Sequence, residues 1–151
     1  MLERPGIEIL YLAPTIAQVK RIGFRPMFLS NDSIFPKELI KEINKTDMTV
    51  ELVNGSRITF AGTESKEKLR GLTGDLLILD EYAIMASDVF TDLEPIVSAR
   101  MGRIVIAATP IGRNHFYEVC QMGILGTQEY TKGYRTWIIP ITHDDVDGPL
   151  S

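Results

Sequence analysis

Two adjacent carboxylates follow a run of four aliphatic residues in the middle of the sequence. Leu76 to Leu79 reads Leu-Leu-Ile-Leu, which indicates a buried strand, and Asp80 and Glu81 come directly after it. This is the form of a Walker B motif. Asp80 would hold Mg²⁺ through oxygen, commonly by way of water. Glu81 would activate the water that attacks a γ-phosphate. The alternative is an acidic turn without a function, since such a short pattern is common.

A second apolar run, 104–108, is followed by Thr109 and Pro110. A polar residue at the tip of the strand beside Walker B can sense the γ-phosphate, and Thr109 is the candidate. Asn114 lies a few residues further along in the same block. The alternative is a simple strand end and turn, in which Asn114 caps the next helix.

Arg70 lies in a glycine-containing loop ahead of the Walker B strand. An arginine in this place could act as an arginine finger toward the nucleotide of a neighbouring subunit. The alternative is a solvated loop charge. The nearby glycines do not form a phosphate loop, because no Gly-Lys-Ser or Gly-Lys-Thr occurs in the 151 residues.

Near the beginning, Tyr-Leu-Ala-Pro-Thr ends a strand, and Thr15 opens a helix with Gln18 in capping-box spacing. This arrangement is similar to helicase-type motif Ia, which contacts the DNA backbone. Thr15, Lys20 and Arg21 are therefore candidate phosphate contacts, since helix N-termini and nearby cations bind phosphate. The alternative is a capped surface helix.

Apolar strands at 7–13, 76–79 and 104–108 alternate with helices, which indicates an α/β fold with a largely parallel sheet. Asn54-Gly55 between 49–52 and 57–60 predicts an antiparallel hairpin. Ligands of such sheets bind beyond the carboxyl ends of the strands. The candidate residues at 80, 81 and 109 follow strands at those ends.

Three further elements are predicted from prolines and apolar spacing. Pro26 should end the helix that begins at Thr15. Pro36 should begin a second short helix, whose apolar face would consist of Leu39, Ile40 and Ile43. Residues 134–141 should form a last strand.

The composition excludes some classes of function. Sixteen basic residues against twenty acidic ones give a net charge of −4, which argues against a surface that coats nucleic acid by itself but permits a local basic strip. Cys120 is the single cysteine, so a reducing compartment is expected. No apolar run reaches about 18 residues, so no membrane span is expected. His115 is interpreted as structural, and the acidic cluster at 144–147 as a solvated turn.

Taken in order, these segments resemble the phage terminase large subunit. The resemblance runs from about Tyr11 to the tail, where 139–149 looks like the approach to a nuclease domain. Its most distinctive block is Thr109–Glu118, Thr-Pro-Ile-Gly-Arg-Asn-His-Phe-Tyr-Glu. The other matching segments are Ala-Pro-Thr at 13–15, the Asn-Gly hairpin, Arg-Gly at 70–71 and Leu-Asp-Glu-Tyr-Ala at 79–83.

The resemblance implies a P-loop NTPase-like (ASCE) fold, a mostly parallel sheet with flanking helices and an antiparallel hairpin, here missing the Walker A strand. It implies that Asp80 is the magnesium residue and Glu81 the catalytic glutamate. Thr109 and Asn114 would belong to the motif that couples hydrolysis to DNA movement, and Arg70 would act in trans. ATP and Mg²⁺ would be cofactors of the full-length protein, and it is left open whether this chain alone binds either of them.

The same resemblance implies double-stranded DNA, a portal protein and a small terminase subunit as partners, a possible homo-oligomer, no membrane, and the host cytoplasm as location. The chain departs from the family because the Walker A loop, the adenine-contacting segment and the nuclease aspartates do not occur in it. Residues 1–141 are therefore interpreted as a truncated ATPase domain and 142–151 as a linker toward an absent nuclease domain, and the isolated chain is expected to be inactive.

Two alternatives remain. One is a catalytically dead remnant or assembly module, which the missing phosphate-loop lysine favours. The other is a fragment of a superfamily-two helicase. Such helicases usually read Asp-Glu-x-His or Asp-Glu-x-Asp, whereas this chain reads Asp-Glu-Tyr-Ala at 80–83.

Overall fold

Six strands form one sheet in the order β2-β3-β4-β1-β5-β6. The computed structural model describes residues 4–64, 69, 71–124 and 133–137. They belong to two compact units, the first ending at Pro110 and the second beginning at Ile111. The sheet lies in the first unit, and its strands are β1 Glu8–Ala13, β2 Ile40–Asn44, β3 Thr49–Leu52, β4 Arg57–Gly62, β5 Leu76–Asp80 and β6 Arg103–Ala107.

The parallel part of the sheet, β4-β1-β5-β6, contains the strands that carry the candidate residues. β1 pairs in parallel with both β4 and β5, and β5 pairs in parallel with β6. Leu77 and Leu79, on one face of β5, are fully buried, whereas Leu76 and Ile78, on the other face, are half-buried. The predicted α/β fold with a mostly parallel sheet is thereby confirmed. The carboxyl ends of β1, β4, β5 and β6 all meet at one edge of the sheet.

The remaining pairings in the sheet, β2 with β3 and β3 with β4, are antiparallel. β3 and β4 form the predicted hairpin, in which Gly55 has φ 79°, a left-handed conformation that suits glycine. The predicted helix after Pro36 is wrong. A 3₁₀ turn, Lys37–Leu39, leads into β2, which pairs antiparallel with β3. Isoleucines are β-branched and suit strands, and pairing with β3 lets Ile43 reach the core from a strand.

A helical segment follows β1. It begins as the short helix α1, Ile16–Gln18, and continues as a π-helix over Val19–Leu29. The predicted capping box is confirmed, because the Thr15 hydroxyl accepts the Gln18 N–H at 3.2 Å and the Gln18 side chain accepts the Thr15 N–H at 3.1 Å. The predicted end at Pro26 is wrong. The i→i−5 pattern carries the helix past it, and Ser30 N–H donates to the Arg25 carbonyl at 3.0 Å.

The remaining helices are α2, Val89–Ser98, between β5 and β6, and α3, His115–Met122, in the second unit. In the predicted last strand, residues 134–137 are irregular, and 138–141 lie outside the described residues. The predicted boundary between 141 and 142 lies outside them too. In the part of the chain that the structure describes, no helix is long and apolar enough to cross a membrane.

Aromatic rings fill the core between the π-helix and the sheet. Phe24 and Phe28 of the π-helix both contact Phe60 of β4, with ring centroids 5.3 Å and 5.8 Å apart. Tyr11 of β1 packs against the same Phe60 ring at 5.2 Å. The π-helix is therefore fixed to β1 and β4 through side chains that lie close to the carboxyl edge.

Candidate functional site

Asp80 and Glu81 lie where β5 ends. Asp80 is the last residue of the strand, and Glu81 begins a 3₁₀ turn over Tyr82–Ile84. Both side chains are half-buried. The buried leucines of β5 hold the strand in place, and its carboxyl end projects the two carboxylates past the sheet. The structure thus places them at the edge where parallel sheets bind ligands.

Glu81 adopts a left-handed backbone conformation, φ 59° and ψ 35°. For a residue with a side chain this conformation costs about 1–2 kcal/mol. The following turn maintains it, since Ile84 N–H donates to the Glu81 carbonyl at 3.1 Å and Tyr82 is almost fully buried. Strained residues of this kind concentrate at functional sites. Because of this left-handed turn, the Glu81 side chain points in a different direction from the one it would take if β5 continued through residue 81.

Tyr11 contacts the site, and the sequence motifs did not single it out. Its hydroxyl donates a hydrogen bond to Asp80 Oδ2. Tyr11 pairs with Ile78 across β1 and β5, so Asp80, two residues further along, presents its side chain on the same face. Burial, then the hydrogen bond to Asp80, then the charges of Asp80 and Glu81 raise the pKa of Tyr11 above its usual value. The hydroxyl therefore keeps its proton and acts as a donor.

Thr109 lies at the same edge. It follows β6 by two residues, and Ala107, the last residue of β6, pairs with Asp80. Its side chain is exposed. The structure therefore brings Asp80, Glu81 and Thr109 to neighbouring strand ends, as the order of the motifs predicts.

Arg70 lies outside the described residues, so its predicted role in trans stays a prediction. Its neighbours in sequence, Leu69 and Gly71, line a cavity of about 380 Å³ against α2. Leu69 is buried, and Gly71 has φ 81°.

Asn114 lies in the second unit and caps α3. Its side-chain oxygen accepts the Phe116 N–H at 3.1 Å and the Tyr117 N–H at 3.3 Å. This is the helix-capping alternative considered from the sequence. A role of Asn114 in nucleotide contact or coupling stays a prediction.

The N-terminus of α1 is already bonded within the chain. Thr15 is engaged in the capping box, and the Ile16 N–H donates to Glu64 Oε1 at 3.0 Å. Lys20 and Arg21, in contrast, are exposed on the π-helix. Of the predicted phosphate contacts, the two cations are thus open to a ligand, whereas the helix N-terminus is occupied by Glu64, which the sequence motifs did not indicate.

The carboxylate pair suits a magnesium ion that takes most of its ligands from elsewhere. No group of three or more His, Cys, Asp or Glu side chains able to hold a metal occurs among the described residues. Mg²⁺ usually binds one or two carboxylates and completes its octahedron with water and substrate phosphate. In the described part of the chain, Asp80 Oδ1 has no protein hydrogen bond, while Oδ2 is taken by Tyr11. The oxygen donors present therefore fit Mg²⁺ bound together with a phosphate.

Comparison with known proteins identifies the family. A family model described as terminase large subunit, T4likevirus-type, N-terminal, matches residues 2–137. The terminase large subunits of Thermus phage G20c and Thermus virus P23-45 are each 31% identical over 139 residues. These matches cover 82% of this chain and 29% of each relative, so the chain spans less than a third of their length.

Solved structures agree with that match. The large terminase ATPase domain of Thermus phage P74-26 is 27% identical, with a TM-score of 0.64 over 82% of this chain and 56% of that one. The large terminase of another thermophilic bacteriophage, 16% identical, has a TM-score of 0.64 over 79% of this chain and 30% of its own, which supports the fold. The chain therefore belongs to the phage terminase large-subunit family, and its six-stranded α/β sheet is the P-loop-like sheet of large terminase ATPase domains.

Proposed function

We propose that this chain supplies the Walker B part of a motor ATPase that packages viral DNA, acting within a longer polypeptide. The observation that carries the proposal is the position of Asp80 and Glu81, at the carboxyl end of β5 and beside Thr109. Membership of the terminase family supports ATP as the substrate of this arrangement and DNA translocation as its purpose.

Each residue at the edge has a proposed role. Asp80 orients a water-bound Mg²⁺, which supplies positive charge to the nucleotide phosphates when it is bound. Glu81 orients and activates the attacking water from its left-handed turn. Thr109 contacts the γ-phosphate, and Thr109 and Asn114 belong to the coupling motif. Arg70 acts on the nucleotide of a neighbouring subunit.

DNA would meet this chain through its phosphates. Lys20 and Arg21 are the proposed contacts, because they are exposed cations on the π-helix. Further proposed partners are a portal protein, a small terminase subunit and other copies of the chain in a motor that acts in the host cytoplasm.

The 151 residues alone should not hydrolyse ATP. They contain no Gly-Lys-Ser or Gly-Lys-Thr, so they offer no loop and lysine to hold the β- and γ-phosphates. This observation also favours the second candidate function, an assembly module without catalysis. Purified chain with Mg²⁺ and ATP should release phosphate no faster than its Glu81→Gln variant. A faster rate that Asp80→Ala abolishes would contradict this expectation.

A chimera separates the two candidates. Residues 2–137 would replace the matching segment of the Thermus phage G20c large subunit, and ATP hydrolysis would be measured with Mg²⁺. The proposal expects hydrolysis that Glu81→Gln abolishes and that Glu94→Gln, an exposed acid-to-amide change on α2, leaves intact. A cooperatively melting chimera that hydrolyses ATP no faster than its Glu81→Gln variant would support the non-catalytic module.

A further inference from the structure

Three elements converge on the side chain of Tyr11. The hydroxyl donates to Asp80 Oδ2 of β5, the ring packs on Phe60 of β4 at 5.2 Å, and the π-helix passes the ring at Gly23. Tyr11 itself is 6% exposed. These contacts restrict the position of the Tyr11 hydroxyl. Because the hydroxyl donates to Asp80, it also restricts the orientation of the Asp80 carboxylate, which is half-buried.

Gly23 defines how tightly the ring is held. A Cβ at this position would lie 2.8 Å from Tyr11 Cε1 and 3.1 Å from Cζ, the atom that carries the hydroxyl. It would also lie 3.3 Å from Phe60 Cε1. The π-helix therefore approaches the ring as closely as glycine permits. The ring has no room to swing toward the helix, which limits the directions that its hydroxyl can take.

The hydrogen bond also distinguishes the two oxygens of Asp80. Torsion about the carboxylate of an aspartate is broad, so a free carboxylate at a strand end samples many orientations. Tyr11 occupies Oδ2, and Oδ1 has no protein hydrogen bond within the described residues. Outer-shell hydrogen bonds of this type fix metal-ligating groups, and their loss typically weakens metal affinity about 10–100-fold.

We propose that Tyr11 is a positioning residue for Asp80, which orients the carboxylate so that Oδ1 faces the metal. The proposal rests on the proposed function in one respect, that Asp80 is the carboxylate that meets the divalent ion. Gly23 and Phe60 pack against the Tyr11 ring and restrict its movement, which favours a persistent hydrogen bond between Tyr11 and Asp80.

The test uses the chain itself and Mn²⁺ as the probe. Mn²⁺ is titrated while water-proton relaxation and the broadening of the amide signals of Leu79 and Glu81 are followed by NMR. Tyr11→Phe removes the hydroxyl and keeps the ring, and we expect it to weaken Mn²⁺ binding about tenfold. Tyr117→Phe removes a hydroxyl from α3 in the second unit and should change nothing.

A second variant keeps the Tyr11 hydroxyl but displaces it from Asp80. Gly23→Ala places a Cβ against the Tyr11 ring, and we expect it to weaken Mn²⁺ binding in the same direction as Tyr11→Phe. Thermal melting of each variant establishes that it is folded. If Tyr11→Phe does not fold, the Gly23→Ala titration decides the question.

The outcomes separate this proposal from the proposed function. If Asp80→Asn abolishes the broadening and Tyr11→Phe leaves it unchanged, Tyr11 is not a positioning residue and the metal role of Asp80 stands. Tighter Mn²⁺ binding by Tyr11→Phe would mean that the hydroxyl competes with the ion, which also overturns the proposal. If Asp80→Asn itself leaves the broadening unchanged, Asp80 does not meet the ion in this chain and the positioning role of Tyr11 fails, whereas the proposed function is decided separately by ATP hydrolysis in the chimera.

Discussion

Asp75 and Arg100 form an ion pair at the end of the sheet opposite the candidate site, with Oδ2 and Nη1 2.8 Å apart. Asp75 precedes β5, and Arg100 follows α2. The same carboxylate oxygen accepts the backbone N–H of Glu8, the first residue of β1, at 2.9 Å. One side chain therefore joins the beginnings of two central strands to the end of a helix.

This arrangement predicts an acid-sensitive stability. The Glu8 N–H, and secondly Arg100, hold the pKa of Asp75 below its usual value. The charged carboxylate therefore stabilises the fold fully above about pH 3.9, the usual aspartate pKa, and this contribution is lost as the pH falls through the lower pKa of the folded state. Urea unfolding between pH 2.5 and 7 should show the loss.

Asp75→Asn is the matched variant for that prediction. An amide oxygen can still accept the Glu8 N–H but carries no charge, so we expect a loss of about 1 kcal/mol at neutral pH. The variant should depend less steeply on pH below 4 than the wild type does. Equal slopes for the two proteins would show that Asp75 does not cause the acid sensitivity.

Glu81→Gly should stabilise the protein while removing the proposed catalytic group. Glycine adopts the left-handed conformation at 81 without strain. The free energy gained by relieving this strain should exceed the free energy lost because glycine has more conformational entropy in the unfolded chain. We expect a gain of roughly 0.5–1 kcal/mol in the free energy of unfolding. Glu94→Gly, in the right-handed interior of α2, should lose about 1 kcal/mol instead. A loss in both variants would exclude strain at Glu81.

Gly62→Ala should be among the more destabilising single-methyl changes in the sheet. A Cβ there would lie 2.5 Å from the Ile16 nitrogen and 2.9 Å from the Thr15 carbonyl carbon, which are backbone atoms that cannot turn aside. Overpacking of this kind costs about 1–3 kcal/mol. A Cβ at Gly74 would lie 3.4 Å from the Leu10 side chain and 3.6 Å from the Leu76 carbonyl oxygen, which are ordinary contact distances, so Gly74→Ala should cost less in urea unfolding.

DNA binding by this chain should be weak and sensitive to salt. Lys20, Arg21 and Arg25 are exposed cations on the π-helix, and each contributes about −0.9 to the slope of log affinity against log salt, so a slope of about −2 to −3 is expected. Lys20→Ala and Arg21→Ala should each make the slope shallower, whereas Lys45→Ala, in the turn between β2 and β3, should not. Nanomolar affinity at physiological salt would indicate a dedicated DNA surface elsewhere.

The outer edge of β6 predicts self-association. In the described sheet β6 has a single strand neighbour, β5, and Val105 on β6 is 50% exposed. Exposed apolar edges of this kind pair with other chains, most simply in a symmetric dimer. Light scattering at micromolar concentrations should give more than the mass of one chain. A stable, cooperatively melting monomer would refute the dimer.

The strands and the acidic edge could be predicted because their signals are local. The aliphatic run at 76–79 predicts a strand, and Asp80 and Glu81, which follow it directly, predict two carboxylates at the end of that strand. The Tyr11–Asp80 hydrogen bond was missed because it depends on which strands are neighbours, and 69 positions separate the two residues. The helix expected after Pro36 failed for a related reason. The apolar residues at 39, 40 and 43 have the spacing of a helix face. Residues 40–44 form a strand instead because they can pair with the edge of β3, and this pairing cannot be read from the local sequence.

The order of the strands along the chain differs from their order in the sheet, and this has a consequence for synthesis on the ribosome. β1 is made first, but its two neighbours, β4 and β5, are made later, and the Glu8–Asp75 contact spans 67 positions. At about 5–20 residues per second, β1 waits roughly 3–13 seconds for its second partner. During that time the β2-β3-β4 meander can close locally, because its contacts are short-range. The nascent chain thus carries β1 as an unpaired apolar strand until β4 and β5 have been made, and an unpaired apolar strand of this kind is a segment that a chaperone can bind.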